Sequence, residues 1–110
     1  MQDYNVYIEQ ILNMLEKLKR TNLDKLETDE LVFDATVMRL QVIGESASKI
    51  SSKLRKKYSH INWDSLVRTR DFVSHNYERI EISAMRYFIR DKIIPLEDSL
   101  KKMVKQENKE

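Results

Sequence analysis

The near absence of helix-breaking residues is the feature that most constrains this chain. Its 110 residues contain one glycine, Gly44, and one proline, Pro95. Turn-rich β folds need such residues wherever the backbone reverses, whereas the interiors of long helices exclude them. Hydrophobic residues make up 41% of the chain and charged residues 35%, a balance typical of globular proteins. We therefore expect one all-α domain across residues 1–110.

Several classes of protein are disfavoured by composition. Cysteine is absent, which excludes disulfides and cysteine-based zinc sites and fits a reducing compartment. No apolar run approaches the ~20 residues of a membrane span, and the start of the chain lacks the basic and apolar blocks of a signal peptide. We expect a cytoplasmic protein without membrane association. The net charge of +2 is too balanced to indicate nucleic-acid binding by itself, so an RNA-binding surface would need locally concentrated positive charge.

Four stretches space their apolar residues three and four positions apart, as amphipathic helices do. The predicted helices run from about Asp3 to Arg20, from Asp29 to Lys57, from Trp63 to Ser74, and onward from near Glu81. Helices joined by short connectors favour an antiparallel bundle of four to five helices.

The second predicted helix contains the single glycine. Its apolar stripe consists of Leu31, Ala35, Met38, Val42, Ile43, Ala47, Ile50 and Leu54. A glycine inside a helix costs about 1 kcal/mol relative to alanine. Gly44 therefore predicts a close approach by another helix.

The remaining boundaries follow from individual residues. Asn62 or Asp64 can cap the third helix. Pro95 predicts a kink or a break in the last helix. We expect the polar tail, residues 105–110, to fray.

The third helix has a charged residue within its apolar stripe. Trp63, Leu66, Arg70, Val73 and Tyr77 recur at spacings of three and four. Arginine is rarely buried without a partner. Arg70 therefore either pairs with a carboxylate such as Glu45 or Asp71 in a closed core, or faces a cleft that an anion can enter.

His75 and Tyr77 each have a catalytic and a structural interpretation. Asp71 precedes His75 by four residues, so its carboxylate can hold one imidazole nitrogen. A histidine near a helix end more commonly compensates the helix dipole, and Tyr77 can be a core aromatic with a hydrogen-bonded tip. Residue types alone leave these alternatives open.

Positive charge is densest in the run KLRKK, from Lys53 to Lys57. A solvated helix end and a contact with an RNA backbone both explain such a run. His60, in the connector that follows, is expected to be solvated. Glu45 is expected to pair with Arg39 or with Arg70.

The segment RDFVSHNY, from Arg70 to Tyr77, resembles the R-x-x-x-x-H-x-Y signature of HepT-like HEPN toxins. These toxins are partners of minimal nucleotidyltransferase (MNT) antitoxins. VMRLQVIGESASKIS, from Val37 to Ser51, is similar to the second-helix segment of that family, and INW, from Ile61 to Trp63, to its turn before the motif. The resemblance extends from about Tyr4 to Lys102, and the order of the three segments is more specific than R-x-x-x-x-H alone.

The resemblance implies a HEPN helical bundle that forms a homodimer, with two motif copies lining one cleft at the interface. The implied activity is metal-independent endonucleolytic cleavage of tRNA or mRNA, in a type VII-like toxin–antitoxin system. The implied partner is an MNT-type nucleotidyltransferase antitoxin, which silences the toxin by attaching AMP to the motif tyrosine, here Tyr77. The resemblance implies no metal and no other cofactor.

Transferred to this chain, the resemblance makes Arg70 and His75 the catalytic residues, with Asp71 and Asn76 supporting them. An imidazole titrates near neutral pH, so His75 can act as base or acid on the RNA 2′-OH or the leaving oxygen. The planar donors of Arg70 suit the phosphate oxygens. The candidate RNA-binding residues are Lys53, Arg55, Lys56, Lys57 and Arg68.

Two rival interpretations remain. A catalytically inactive HEPN-like binding module would dock a nucleotidyltransferase or RNA without cutting it. A structural dimerisation bundle would pair Arg70 with Glu45 or Asp71 inside a closed core.

Overall fold

The computed structural model describes residues 4–74 and 80–109, and the regular secondary structure of these residues is entirely helical, with no β-strand among them. The α-helices are α1 (Tyr4–Lys19), α2 (Glu30–Ser48), α3 (Ser52–Lys57), α4 (Trp63–Arg68), α5 (Asp71–Ser74), α6 (Ile82–Tyr87) and α7 (Glu97–Lys109). The all-α prediction is confirmed. Three of the predicted helices are each divided into shorter helical segments. No helix in this part of the chain is both long and apolar enough to cross a membrane.

The core forms where α1 packs along α2 and against α7. α1 buries four apolar residues at spacings of three and four, as its sequence pattern predicted. These residues are Ile8, Ile11, Leu15 and Leu18. Their counterparts from the rest of the chain include Leu40, Ile43, Leu66, Met85, Ile89, Leu100 and Met103, each fully buried or nearly so. Removal of this apolar surface from water supplies the main driving force for folding.

The predicted buried face of α2 is partly wrong. Ile43 and Ala47 are buried, but Leu31 is 81% exposed and Met38 is 52% exposed. The reason is that α2 contacts α1 on one side and α4 and α5 on another. Its buried surface therefore extends around to Val37 and Gly44, while the outer side remains uncovered.

The second predicted helix does not run without interruption to Lys57. α2 ends at Ser48, and α3 begins after Ser51. The Ser51 side chain accepts a hydrogen bond from the Leu54 N–H at 3.2 Å, which satisfies a free donor at the new helix start. A serine inside a helix competes for backbone donors in this way. The continuous apolar spacing across Ile50 and Leu54 concealed this boundary.

The last predicted helix changes type around its proline, as expected. α6 continues into a π-helical segment, Phe88–Ile93, and then a 3₁₀ turn, Ile94–Leu96, before α7 begins. In a regular α-helix the Pro95 ring would collide with the carbonyl four residues earlier and would leave it without a donor. The wider π turn, in which Ile94 N–H donates to Ile89 C=O, absorbs the irregularity and keeps Ile89 and Ile93 in the core.

The polar tail is helical to Lys109, contrary to the expected fraying. Glu107 holds it against α3. The Tyr58 hydroxyl donates to Glu107 Oε2 at 2.5 Å, and Lys57 Nζ lies 2.8 Å from the same oxygen. The hydrogen bond from Lys57, then that from Tyr58, lowers the pKa of Glu107 below its ordinary value of 4.5.

Glu107→Gln should lower the free energy of unfolding at neutral pH by about 1 kcal/mol, because the charged acceptor is lost. A carboxyl with a depressed folded-state pKa stabilises above its unfolded pKa and loses this contribution as pH falls through the folded value. The difference between wild type and variant should therefore shrink below pH 4.5. Urea unfolding at several pH values measures it, with Glu9→Gln on α1 as the charge-matched control. A pH-independent difference would contradict the assignment.

Candidate active site

The signature segment begins at a break between two helices. α4 ends at Arg68 and α5 begins at Asp71, so the single helix predicted from Trp63 to Ser74 is divided. Asn62 caps α4 as predicted, its Oδ1 accepting from Ser65 N–H at 3.1 Å. Thr69 lies in the break with its side chain fully buried.

The Thr69 hydroxyl ties this break to α2. Its oxygen lies 2.7 Å from the carbonyl oxygen of Leu40 and 2.8 Å from that of Leu66, and it donates toward both. Buried hydroxyl groups are costly unless they are hydrogen-bonded. The contact with Leu40 therefore fixes the position of the break relative to α2.

Gly44 is the close-approach point that the sequence predicted, and it lies directly under the signature segment. A Cβ at this position would be 2.7 Å from both the backbone nitrogen and the Cβ of Arg70, and 2.8 Å from Thr69 Oγ1. Cβ atoms do not approach other atoms so closely. The absence of a side chain at Gly44 thus allows the Arg70 backbone to rest on α2.

Arg70 is exposed, although its spacing placed it in an apolar stripe with Trp63 and Leu66. The prediction of one shared face is wrong because the break after Arg68 reorients the chain. The closed-core interpretation places Arg70 inside the fold, whereas in this protomer the residue lies at the surface. Its backbone nevertheless lies against α2 at Gly44.

The remaining motif residues divide between described and undescribed parts of the chain. Asp71 is exposed at the first position of α5. His75, Asn76 and Tyr77 lie outside the described residues, and their predicted roles stay predictions.

Asp71 lines a small pocket between α5 and the π-helical segment. The pocket has a volume of about 180 Å³ and is lined by Arg68, Asp71, Phe72 and Phe88. The two phenylalanine rings lie with their centroids 5.0 Å apart and their planes at 46°. Arg68 and Asp71 are exposed and the phenylalanines half-buried, so the pocket has an aromatic wall and a charged rim.

The basic run from Lys53 to Lys57 does not offer a ligand one continuous patch of positive charge. Lys57 forms an ion pair with Glu107 at 2.8 Å, which neutralises its charge locally. Arg55 is half-buried and donates to the Ala47 carbonyl oxygen at 2.5 Å. Lys53 and Lys56 are exposed. The charge that this run presents to a ligand is therefore smaller than its sequence suggested.

An open groove of about 540 Å³ follows the basic run. It is lined by Ser52, Arg55, Lys56, Ser59, His60, Ile61, Asn62, Trp63 and Asp64. His60, expected to be simply solvated, is exposed at this groove. The groove combines cationic and hydrogen-bonding groups and is large enough for part of a polynucleotide backbone.

Glu45, the other acidic candidate, has a hydrogen-bond partner that the sequence did not predict. Glu45 accepts from Gln41 Nε2 at 3.2 Å, and Arg39 donates to the Thr21 hydroxyl at 2.9 Å rather than to Glu45. Across the described ranges, no three His, Asp or Glu side chains cluster as metal ligands would.

Sequence reasoning assigned no site role to His60, Phe72 or Phe88, which line these cavities. His60 follows the basic run closely, which was the one available signal for it. Phe72 lies within the motif, but its ring partner Phe88 is distant in sequence, and only the folded chain brings them together.

These features define a class: an all-helical domain that presents an R-x-x-x-x-H-x-Y segment from a helix break supported by a glycine. The family model described as "Ribonuclease HepT-like" matches residues 7–103. The chain therefore belongs to the HepT-like ribonuclease family.

Relatives with similar sequences carry ribonuclease names. A protein of Caldanaerobacter subterraneus subsp. tengcongensis named "Putative RNase" is 26% identical over 105 residues, which cover 92% of this chain and 94% of the relative. A "Gamma-glutamylcyclotransferase and putative RNase" of Methanocaldococcus jannaschii is 25% identical over 97% of this chain, which spans about half (50%) of that relative. No solved structure matches the chain.

Gly44→Ala should lower the free energy of unfolding by about 1–3 kcal/mol, because the new methyl group has to displace the backbone of Arg70. Alanine's better helix propensity offsets part of this cost. Urea unfolding measures the change. Gln41→Ala, at an exposed position of the same helix, should stay within about 0.5 kcal/mol of wild type. Equal or greater stability of Gly44→Ala would contradict the described contact.

Proposed function

We propose that this chain is a metal-independent endoribonuclease that acts as the toxin of a type VII-like toxin–antitoxin system. The observation that carries the proposal is the presentation of Arg70. Its side chain is exposed, while its backbone rests on Gly44 beside the buried Thr69. An arginine whose backbone is held in this way has a fixed position beside the motif, and such preorganisation is a large part of catalysis.

The proposed reaction uses the nucleophile of the RNA itself. His75 accepts the 2′-OH proton, and the 2′-oxygen attacks the adjacent phosphorus. Arg70 donates to the non-bridging oxygens as negative charge develops on them. The bond from phosphorus to the 5′-oxygen breaks, and that oxygen takes a proton from a second imidazole. The products are a 2′,3′-cyclic phosphate and a 5′-hydroxyl.

The need for both a base and an acid supports a homodimer. Each protomer supplies one His75 in a cleft shared by two motif copies, so that one copy accepts the proton and the other donates one. Asp71 and Asn76 support this pair, Asp71 because it precedes His75 by four residues.

The outer side of α2 is the proposed dimer surface. Leu31 and Met38 are seven residues apart, so they lie on the same side of the helix, and both are strongly exposed. Large exposed apolar side chains on one side of a helix are typical of a contact surface. Around the helix, Gln41 and Glu45 lie between this side and Gly44, which supports Arg70. A second copy docked here would be close to the motif.

RNA is proposed to contact Lys53, Arg55 and Lys56 outside the cleavage site, and Arg68 beside the motif. Arg55 and Lys56 line the open groove, and their positive charge suits a contact with the RNA backbone. Lys57, already paired with Glu107, is expected to contribute least.

Silencing is proposed to occur on Tyr77, by transfer of AMP from the nucleotidyltransferase antitoxin. The bulk of the nucleotide and its negative charge would exclude an incoming RNA phosphate from the neighbouring motif. This inhibition would need no unfolding of the toxin.

The test is to induce the chain in cells as wild type and as His75→Ala, and to map new RNA ends. Wild type should arrest growth and produce ends with 2′,3′-cyclic phosphates. His75→Ala should lower cleavage at least about 100-fold, the lower range for loss of general acid–base catalysis. His60→Ala, which changes the other histidine, is the matched control and should still cut.

A second outcome would contradict the endoribonuclease proposal. If wild-type protein binds RNA without cutting it, and mass spectrometry finds no AMP on Tyr77, the chain is a binding module and the endoribonuclease proposal is wrong.

Met38→Asp should convert a dimer into a monomer and lower cleavage with it, because a carboxylate cannot be buried unpaired in the interface. Light scattering after size-exclusion chromatography measures the mass. Tyr87→Asp is the control, since Tyr87 is 57% exposed on α6. A Met38→Asp protein that is still dimeric would exclude this surface.

A further inference from the structure

The pocket between α5 and the π-helical segment has the dimensions and the lining of a site for one flat ring. Its volume of about 180 Å³ is below the roughly 300–1,000 Å³ of pockets for drug-sized ligands. Phe72 and Phe88 supply an aromatic wall, and single-stranded RNA bases are commonly held by stacking on such rings. A whole nucleotide would exceed the pocket, but a base could enter with its sugar outside.

The hydrogen-bonding groups at the charged rim of the pocket indicate which base fits it best. Arg68 supplies donors only, and an ionised Asp71 supplies acceptors only. Guanine presents two adjacent donors, N1–H and the N2 amino group, which a carboxylate can accept together, and two acceptors, O6 and N7, that suit arginine. Adenine and cytosine each offer a carboxylate one amino group, and uracil offers one N–H.

We propose that Arg68, Asp71, Phe72 and Phe88 form a guanine-binding subsite that selects where this chain cuts RNA. The proposal rests on the proposed endoribonuclease function and adds a sequence preference to it. Asp71 accepts N1–H and N2–H of the base, Arg68 donates to its acceptor edge, and the phenylalanine rings pack on its face.

Chain connectivity keeps this subsite near the cleavage chemistry. His75 follows Phe72 by three residues, so their Cα atoms can be at most about 11 Å apart in any conformation. A base in the pocket therefore belongs to a nucleotide near the scissile phosphate. Asp71 can hold the base and still serve His75, because an ionised carboxylate has about four acceptor sites.

The test measures binding separately from cleavage. Short oligouridines with one central guanosine, inosine or adenosine are titrated into the full His75→Ala chain, and fluorescence anisotropy reports the affinity. Inosine lacks only the N2 amino group, so it removes one hydrogen bond to Asp71. The guanosine oligomer should bind about 10-fold more tightly than the inosine oligomer, the effect of one hydrogen bond to a charged group.

Two conservative substitutions test whether Asp71 and Arg68 cause the preference for guanosine. Asp71→Asn and Arg68→Gln change exposed side chains and should preserve the fold, which circular dichroism checks. Asp71→Asn should reduce the preference for guanosine over inosine to less than twofold, because it leaves one acceptor. Arg68→Gln should weaken guanosine binding. Arg20→Gln, which removes an equal charge from the turn after α1, should leave the preference unchanged.

Each outcome decides the proposal. Equal affinities for the three oligomers, a lack of measurable binding, or a preference that persists in Asp71→Asn would overturn the subsite. Wild-type cleavage mapped on the same oligomers separates this result from the proposed function. Cutting without a base preference overturns the subsite alone. Guanine-selective binding without cutting overturns the endoribonuclease proposal and the role of the subsite in cutting, and leaves the guanine-binding pocket standing.

Discussion

The contact between Gly44 and the backbone of Arg70 is the constraint on which the site depends. A Cβ on α2 would be 2.7 Å from Arg70 N, so only a residue without a side chain fits at this contact. The Thr69 hydroxyl bonds to the Leu40 carbonyl at the same junction. Together these contacts fix the start of the signature segment to the most extensively packed helix, so the position of Arg70 is determined by the core.

The hydrogen bonds of Thr69 at this junction also explain why α4 and α5 are separate helices. A hydroxyl directed at carbonyl groups of its own helix and of a neighbour competes with regular helical hydrogen bonding. Thr69 makes both contacts, with Leu66 in its own helix and Leu40 in α2. The chain turns at this point, Arg70 faces solvent, and Asp71 and Phe72 line a pocket with Phe88. The break at Thr69 therefore creates both the exposed position of Arg70 and the aromatic pocket beside it.

Features determined by nearby residues could be predicted from the sequence, whereas features determined by tertiary packing could not. The buried stripe of α1, the Asn62 cap and the change of helix type at Pro95 each follow from residues within one or two turns. The exposure of Leu31 and Met38 depends on which sides of α2 are covered by distant helices. The pairing of Lys57 with Glu107 joins residues 50 positions apart, and no local pattern encodes it. Gly44 was an intermediate case, because its sequence predicted a close contact without identifying Arg70 as the residue involved.

The distribution of charge limits how this chain can recognise RNA. With Lys57 neutralised by Glu107 and Arg55 partly engaged by a backbone carbonyl, few cations of the basic run remain for phosphates. Each phosphate contact contributes through counterion release, so a small number gives weak, sequence-independent binding. A chain with a net charge of +2 therefore gains more from contacts to a base than from further backbone contacts. The aromatic pocket beside the motif fits this requirement, since stacking and hydrogen bonds to one base add affinity and selectivity at the position where cleavage would occur.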